Sequence, residues 1–288
     1  MPPTVSLPRS TIVRFPFTGF HAGRIGRSRD GSSLPALRRY CEQVEEVSRG
    51  LGLDNFVLYG HSWGVVLAIE YALKYQQHLR GVVLSNMTAG VTAYLKYAGI
   101  LKQQLLSPSD LARLEQLDSS QKFDSPEYTS LMMDKLYPQV ICRTKPWPNA
   151  LDRAFQHLNE DVYVEMQGNS EFSITGNLKN WERWNRLHEI RVKTLTIGAR
   201  HDEMNPEAIK KMASMVQHGS YAYCPNGSHM CMWDENQRDL EEVLHAGRSH
   251  LRYPCKPPSS GGCARRDSSG RSRPRGGGGR CVSGSDAA

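Results

Sequence analysis

The first clear pattern in the chain is a run of apolar residues at helical spacing between Arg38 and Gly50. The positions between them are largely charged, so the segment is predicted to be an amphipathic helix, with Gly52 as its stop signal. The apolar positions assigned to its buried side are Tyr40, Cys41, Val44, Val47 and Leu51.

Two short apolar runs rich in β-forming residues flank a second helical pattern. Residues 55–60 and 81–86 are predicted to be strands buried on both faces, because few polar positions interrupt them. Residues 63–75 between them have the spacing of a helix. A strand, a helix and a strand within about thirty residues form a βαβ unit, which predicts a parallel sheet with helices packed on it.

A long helical segment then interrupts the alternation, and it includes a helical stretch at residues 109–117 but no convincing buried strand. The alternation resumes with a strand at 191–198, a helix at 206–217, a strand at 221–224 and a helix at 235–244.

The predicted fold class is therefore α/β, with a mostly parallel sheet, flanking helices and an inserted helical cap. The predicted boundaries are a first part of the core at 10–91, the cap at 92–187, a second part of the core at 188–244, and a tail at 245–288.

The net charge of +7 lies entirely in the tail, since residues 1–244 carry equal numbers of acidic and basic side chains. The tail is rich in Gly, Ser, Pro and Arg and is predicted to be disordered, because it has too little apolar surface to bury. A neutral body with a basic tail gives no reason to expect a specific nucleic-acid partner.

The amino-acid composition indicates whether the chain belongs to the soluble or the membrane proteins. Apolar residues make up 39% and charged residues 23%, as in ordinary soluble proteins, and no run approaches the ~18 apolar residues of a membrane span. The start of the chain does not resemble a signal peptide. A cytoplasmic protein without a membrane partner is predicted.

Seven widely spaced cysteines do not form a disulfide or zinc pattern, and no metal or cofactor is predicted.

The most informative motif is Gly60-His61-Ser62-Trp63-Gly64, which matches G-x-S-x-G between a predicted strand and a predicted helix. This is the nucleophile elbow of the α/β-hydrolases. It predicts Ser62 as the nucleophile and the backbone N–H of Trp63 as an oxyanion donor. The alternative is an ordinary serine in a turn flanked by glycines.

A serine nucleophile needs a base, and the base needs an acid to orient it. In this fold the chain order is Ser, Asp or Glu, then His. Asp202 follows the strand at 191–198, and His229 follows the next strand. These two residues are the predicted acid and base. His201, next to Asp202, is the rival base.

The chain also resembles the proline iminopeptidases, which are capped α/β-hydrolases that remove an N-terminal proline from peptides. The resemblance spans about residues 20–244. The similar stretches are Tyr59–Gly64, Leu84–Met87, Gly168–Phe172 with Thr175–Leu178, Asp202-Glu203 with Pro206, and Gly227–His229 with Trp233.

The resemblance implies roles for two further acids, Glu171 and Glu203, which match the family's ligands for the free amino group of the substrate. Two carboxylates in a partly dry pocket bind an ammonium strongly and reject a blocked terminus. The implied partner is a small peptide with a free N-terminal proline, cleaved through an acyl-enzyme.

One part of the family pattern does not occur here. The chain has no His-Gly-Gly-Pro-Gly loop, which supplies the second oxyanion donor, and residues 20–28 match a stretch that follows that loop. The first strands are therefore expected to be missing, and losing one donor costs about 10²–10³ in rate. The alternatives to a prolyl aminopeptidase are a truncated, weakly active or inactive relative, and a capped esterase or amidase.

Overall fold

A computed structural model describes residues 12–14 and 34–235 of the protein, with side chains from residue 37 onward. The predicted tail at 245–288 lies outside the described residues. So do residues 20–28 and all but the first residue of the helix predicted at 235–244.

Within the described ranges, the strands form one parallel sheet in which neighbours along the chain are neighbours in the sheet. The polar residues of the middle strands are few, and these strands are buried on both faces, as their apolar runs predict. The strands are β1 (Ile12–Arg14), β2 (Phe56–His61), β3 (Leu79–Ser85), β4 (Lys193–Ala199) and β5 (Gly219–Cys224).

Helices flank this sheet, which confirms the predicted fold class. The main helices outside the β3–β4 connection are α1 (Leu34–Gly50), α2 (Trp63–Tyr75), α9 (Pro206–Met215) and α10 (Cys231–Asp234). The β3–β4 connection holds α3 (Val91–Leu105), α4 (Pro108–Ser119), α5 (Pro126–Ser130), a π-helical turn (Leu131–Leu136), α6 (Tyr137–Val140), α7 (Asn149–Gln156) and α8 (Glu160–Met166).

Apolar side chains fill both faces of the sheet. Phe56, Leu58 and Leu84 pack against α1, α2 and α9 in one large core, which continues into the β3–β4 connection. Val57, Val83 and Ile197 point to the opposite face. This alternation follows from the two-residue period of a strand.

The buried side of α1 differs from the prediction. Val47 and Leu51 are 40% and 60% exposed, whereas the polar Glu45 and Ser48 are buried. Leu51 lies past the end of the helix, and Glu45 and Ser48 continue the face of Cys41 and Val44 at helical spacing. Glu45 is stabilised there because its carboxylate accepts a hydrogen bond of 2.8 Å from Tyr71 Oη.

Within the two parts of the core, β1 and α10 have no counterpart among the predicted elements. β1 has three residues, too few to show a two-residue period, and it is defined by its pairing with β2. The short helix α10 directly precedes Glu235, where the sequence pattern predicts the start of a helix.

Candidate active site

Ser62 lies in a sharp turn between the end of β2 and the start of α2. Its backbone has φ 55° and ψ −129°, a conformation that non-glycine residues rarely adopt. Such strain costs about 1–3 kcal/mol and persists at sites where it serves a function. The N–H of Ser62 donates a 3.0 Å hydrogen bond to the carbonyl of Ser85 at the end of β3. Trp63 is the first residue of α2, at the positive end of its dipole.

The two glycines of the elbow have different roles. A Cβ on Gly60 would lie 2.3 Å from the carbonyl oxygen of Gly64 and 2.9 Å from Cβ of Ala68. A Cβ on Gly64 would meet no described atom within 4 Å. Close backbone approach therefore explains Gly60 but not Gly64. Val65, which follows, is fully buried in the core.

We expect the Gly60→Ala substitution to destabilise the protein by about 1–3 kcal/mol, because the new methyl group has no room and backbone must shift. Thermal or urea unfolding measures the effect. Gly64→Ala is the matched control, and it should leave stability unchanged or slightly higher, since alanine favours a helix. Equal effects of the two substitutions would contradict the steric explanation.

Asp202 and His229 are brought together as the sequence predicts. His229 Nδ1 lies 2.9 Å from Asp202 Oδ1, and both side chains are almost completely buried. The carboxylate can only accept, so Nδ1–H donates and Nε2 is left to take up a proton. The rival base His201 uses its backbone N–H to bind the carbonyl of Gly227 at 3.0 Å, and the ring on Asp202 is that of His229.

The position of His229 is set by the segment that ends α6. The N–H of His229 donates to the carbonyl of Val140, and that of Met230 donates to the carbonyl of Ile141, both at 2.8 Å. Ser228 Oγ also donates to the Ile141 carbonyl, at 2.8 Å. The β3–β4 connection therefore holds the histidine directly.

His61 ties the elbow to the histidine. Its Nε2 lies 2.8 Å from the carbonyl oxygen of His229, so Nε2–H is the donor. Burial lowers the pKa of His61 to about 4, and the positive charge of His229 adds to the shift. His61 is therefore neutral at physiological pH and suited to this bond.

Asn86 is a residue whose importance the motif analysis missed. It is fully buried directly after β3, and its Nδ2 donates to Asp202 Oδ2 at 2.7 Å. Asp202 also accepts the N–H of Met204 at 3.0 Å through Oδ1. The sequence feature that could have identified Asn86 is its place at the carboxyl end of a buried strand, where α/β sheets position functional groups.

Glu203 lies beside this pair and has no access to solvent. Its Oε1 is 3.8 Å from His229 Nδ1, and neither carboxylate oxygen has a hydrogen-bond partner among the described residues. Burying a carboxylate without hydrogen bonds is costly, and the ion pair with His229 offsets part of that cost.

Glu171 comes from the β3–β4 connection and is held by its neighbours. Tyr163 Oη donates to its Oε1 at 2.7 Å, and Gln167 Nε2 donates to its Oε2 at 3.0 Å. The Tyr94 hydroxyl donates to the carbonyl of Glu171. Burial raises the pKa of Tyr94 and of Tyr163, and the charges of Glu171 and Glu203 raise both further, so these hydroxyls remain donors.

The acidic groups act on one another and on the histidine. Burial raises the pKa of Glu203 well above its usual range, the positive charge of His229 opposes this shift, and the negative charges of Glu171 and Asp202 add to it, so Glu203 and His229 each favour the charged form of the other. Burial opposes the charged form of His229, but the carboxylates of Asp202 and Glu203 outweigh it and raise the pKa of the imidazole to about 9. The structure thus brings Glu171, Glu203, Asp202 and His229 into one electrostatic cluster.

The described part of the chain gives no metal or membrane site. None of its groups of His, Cys, Asp and Glu side chains could hold a metal ion. No helix in the same part is long and apolar enough to cross a bilayer. Cys41, Cys142, Cys224 and Cys231 are buried free thiols.

Comparison with known proteins identifies the family. A model of the alpha/beta hydrolase fold matches residues 15–235. A proline iminopeptidase from Flavobacterium johnsoniae is 43% identical over 215 residues, which cover 74% of this chain and 72% of that protein. A proline iminopeptidase from Elizabethkingia meningoseptica is 44% identical over 212 residues, covering 72% and 71%.

A solved structure agrees at the level of the fold. The crystal structure of a proline iminopeptidase from Mycobacterium smegmatis matches with a TM-score of 0.65 at 23% identity, covering 75% of this chain and 72% of that one. The relatives do not favour the alternatives of an inactive relative or a capped esterase. The chain belongs to the α/β-hydrolase fold family and, within it, to the proline iminopeptidases, and it is a prolyl aminopeptidase-like hydrolase.

Proposed function

We propose that the protein is a serine aminopeptidase that releases N-terminal proline from small peptides through an acyl-enzyme. In this proposal Ser62 is the nucleophile, His229 is the base and Asp202 orients it. Glu171 and Glu203 bind the amino group of the substrate. Residues 92–187, which include Glu171, form the cap, and the cytoplasm is the proposed location.

The observation that carries the proposal is the carboxylate of Glu203, which is fully buried, lies 3.8 Å from His229 Nδ1 and accepts no hydrogen bond from the described residues. A group that binds the substrate amine must lie close to the nucleophile, because in an N-terminal residue one carbon separates the amino nitrogen from the carbonyl carbon. Glu203 is next to Asp202 in sequence and has both oxygens unoccupied. The ammonium of a prolyl residue would supply the missing donors and the opposite charge.

The proposed chemistry has two stages. His229 Nε2 takes the proton of Ser62 Oγ while Oγ bonds to the carbonyl carbon of the proline residue. The Trp63 N–H stabilises the negative oxygen that forms. The C–N bond then breaks as His229 passes its proton to the departing amine. Water, deprotonated by His229, then attacks the ester carbonyl carbon, and the ester bond breaks as His229 returns the proton to Ser62 Oγ and proline is released.

Turnover of proline arylamides with and without a blocked nitrogen tests the proposal. We expect the free prolyl arylamide to be cleaved with a kcat/KM about 100-fold above that of its N-acetyl derivative, because acetylation removes the charge that the glutamates bind. Release of the arylamine is followed by absorbance. Equal rates for the two compounds would contradict a role of the carboxylates in amine binding.

A further inference from the structure

Residues at the carboxyl end of β3 contact two members of the proposed Ser62–His229–Asp202 triad and the residue that precedes the third. The Ser85 carbonyl accepts the N–H of Ser62, as described above. The next residue, Asn86, donates from Nδ2 both to Asp202 Oδ2 at 2.7 Å and to the carbonyl of Ser228 at 3.3 Å. Ser228 directly precedes His229, so one amide group reaches the acid and the backbone that carries the base.

The orientation of the Asn86 amide is determined by its partners. Its Oδ1 accepts hydrogen bonds from Ser85 Oγ at 2.6 Å and from Cys231 Sγ at 3.2 Å. The partners of the nitrogen, a carboxylate and a carbonyl oxygen, can only accept, so the opposite orientation would place oxygen against oxygen and lose both of these bonds. The amide therefore presents its N–H to Asp202 in a fixed direction.

The backbone of Asn86 is equally constrained. Its φ is 59°, in the left-handed region that asparagine tolerates better than most residues. Its N–H donates to the carbonyl of Ile197 in β4 at 2.9 Å, which joins the end of β3 to the strand that leads to Asp202. Asn86 has no exposed surface and is 116 residues from Asp202 in sequence.

We propose that Asn86 is a positioning residue of the active site, which holds the Asp202 carboxylate so that its Oδ1 faces His229 Nδ1. The inference rests on the proposed function. An amide N–H cannot be removed by titration, so Asn86 keeps Oδ2 occupied whatever the pH and leaves Oδ1 for the imidazole. Asn86 does not touch the substrate, and it acts through Asp202.

Two substitutions separate positioning from a purely structural role. Asn86→Ala removes the donor, and we expect kcat to fall on the order of 10- to 100-fold with little change in KM, the usual value of a hydrogen bond to a charged group. Asn86→Asp keeps the shape. Its carboxyl can donate to Asp202 when protonated and repels Asp202 when ionised.

The pH dependence of kcat/KM distinguishes the two Asn86 variants most clearly. Relative to the wild type, the kcat/KM of Asn86→Asp should fall at least about tenfold as the pH rises and the introduced carboxyl ionises. The same ratio for Asn86→Ala should vary much less. Thr196→Val is the matched control, because Thr196 is also fully buried and its hydroxyl donates to the Ile209 carbonyl at 3.2 Å, away from the triad.

A nuclear magnetic resonance measurement makes the test independent of turnover. The deshielded proton on His229 Nδ1 should move or disappear in Asn86→Ala and persist in Thr196→Val. Wild-type kcat and resonance in both Asn86 variants would overturn the inference, as would losses no larger than those of Thr196→Val. An inactive wild-type enzyme with the expected resonance change would instead contradict the proposed function and leave Asn86 as the group that orients Asp202.

Discussion

Replacing Ser62 by alanine is expected to lower kcat for a prolyl arylamide by about 10⁴- to 10⁶-fold, the loss seen when a serine nucleophile is removed. The hydroxyl oxygen forms the bond to the substrate, and no other group in the elbow can replace it. Binding should persist, because the proposed ligands of the amino group are Glu171 and Glu203. Steady-state kinetics measures the loss, and binding of a prolyl inhibitor measures what is retained.

The backbone of Ser62 offers a control for this experiment. Alanine at φ 55° keeps the strain of the elbow, whereas glycine relieves it. We expect Ser62→Ala and Ser62→Gly to be equally inactive, with Ser62→Gly at least as resistant to thermal unfolding as Ser62→Ala. Substantial activity in the folded Ser62→Ala variant would exclude Ser62 as the nucleophile.

The pairing of Asp202 with His229 could be predicted from the sequence because this fold places an acid and a histidine at recurring positions. A strand followed by G-x-S-x-G and a helix predicts the elbow, and the carboxyl ends of the next strands predict Asp202 and His229. The buried runs predict the middle strands for the same reason, since a strand covered on both faces needs apolar residues at nearly every position.

Other features depend on contacts that no local pattern records. The bond from Asn86 to Asp202 joins the ends of two strands far apart in sequence. Glu45 is expected on the charged side of α1, yet it is buried, and the full burial of Glu203 could be anticipated only from the family resemblance. Tyr71 stabilises Glu45 in the interior by donating a hydrogen bond to its carboxylate, whereas Val47, two residues further on, lies on a different side of α1 and is 40% exposed. The burial and the partners of these side chains are determined by tertiary packing, which the local sequence pattern does not record.

In the proposed mechanism, Glu203 couples binding of the substrate amine to the protonation state of His229. His229 must be neutral to accept the proton of Ser62, so the rate should rise with pH as the imidazole loses its proton. The carboxylates of Asp202 and Glu203 raise the pKa of His229 to about 9, so the imidazole of the free enzyme stays protonated until the pH approaches that value. A substrate ammonium on Glu203 offsets one of these negative charges and therefore favours the neutral base.

Glu203→Gln is accordingly expected to have two effects. The kcat/KM for a prolyl arylamide should fall about 100- to 1000-fold, because a buried charge partner of the ammonium is lost. The rising limb of the pH profile should also move to lower pH, since the glutamine no longer stabilises the protonated form of His229. Measurement of kcat/KM from pH 5 to about 10 tests both.

Glu207→Gln is the matched control, because the Glu207 side chain is 78% exposed on α9 and should change neither quantity. If the rising part of the pH profile moves but kcat/KM on the plateau is unchanged in Glu203→Gln, then Glu203 raises the pKa of His229 without binding the amine. Retention of both wild-type values would contradict each role. A loss that is the same for free and N-acetylated substrates would also contradict amine binding, because only the free nitrogen carries the charge that Glu203 is proposed to hold.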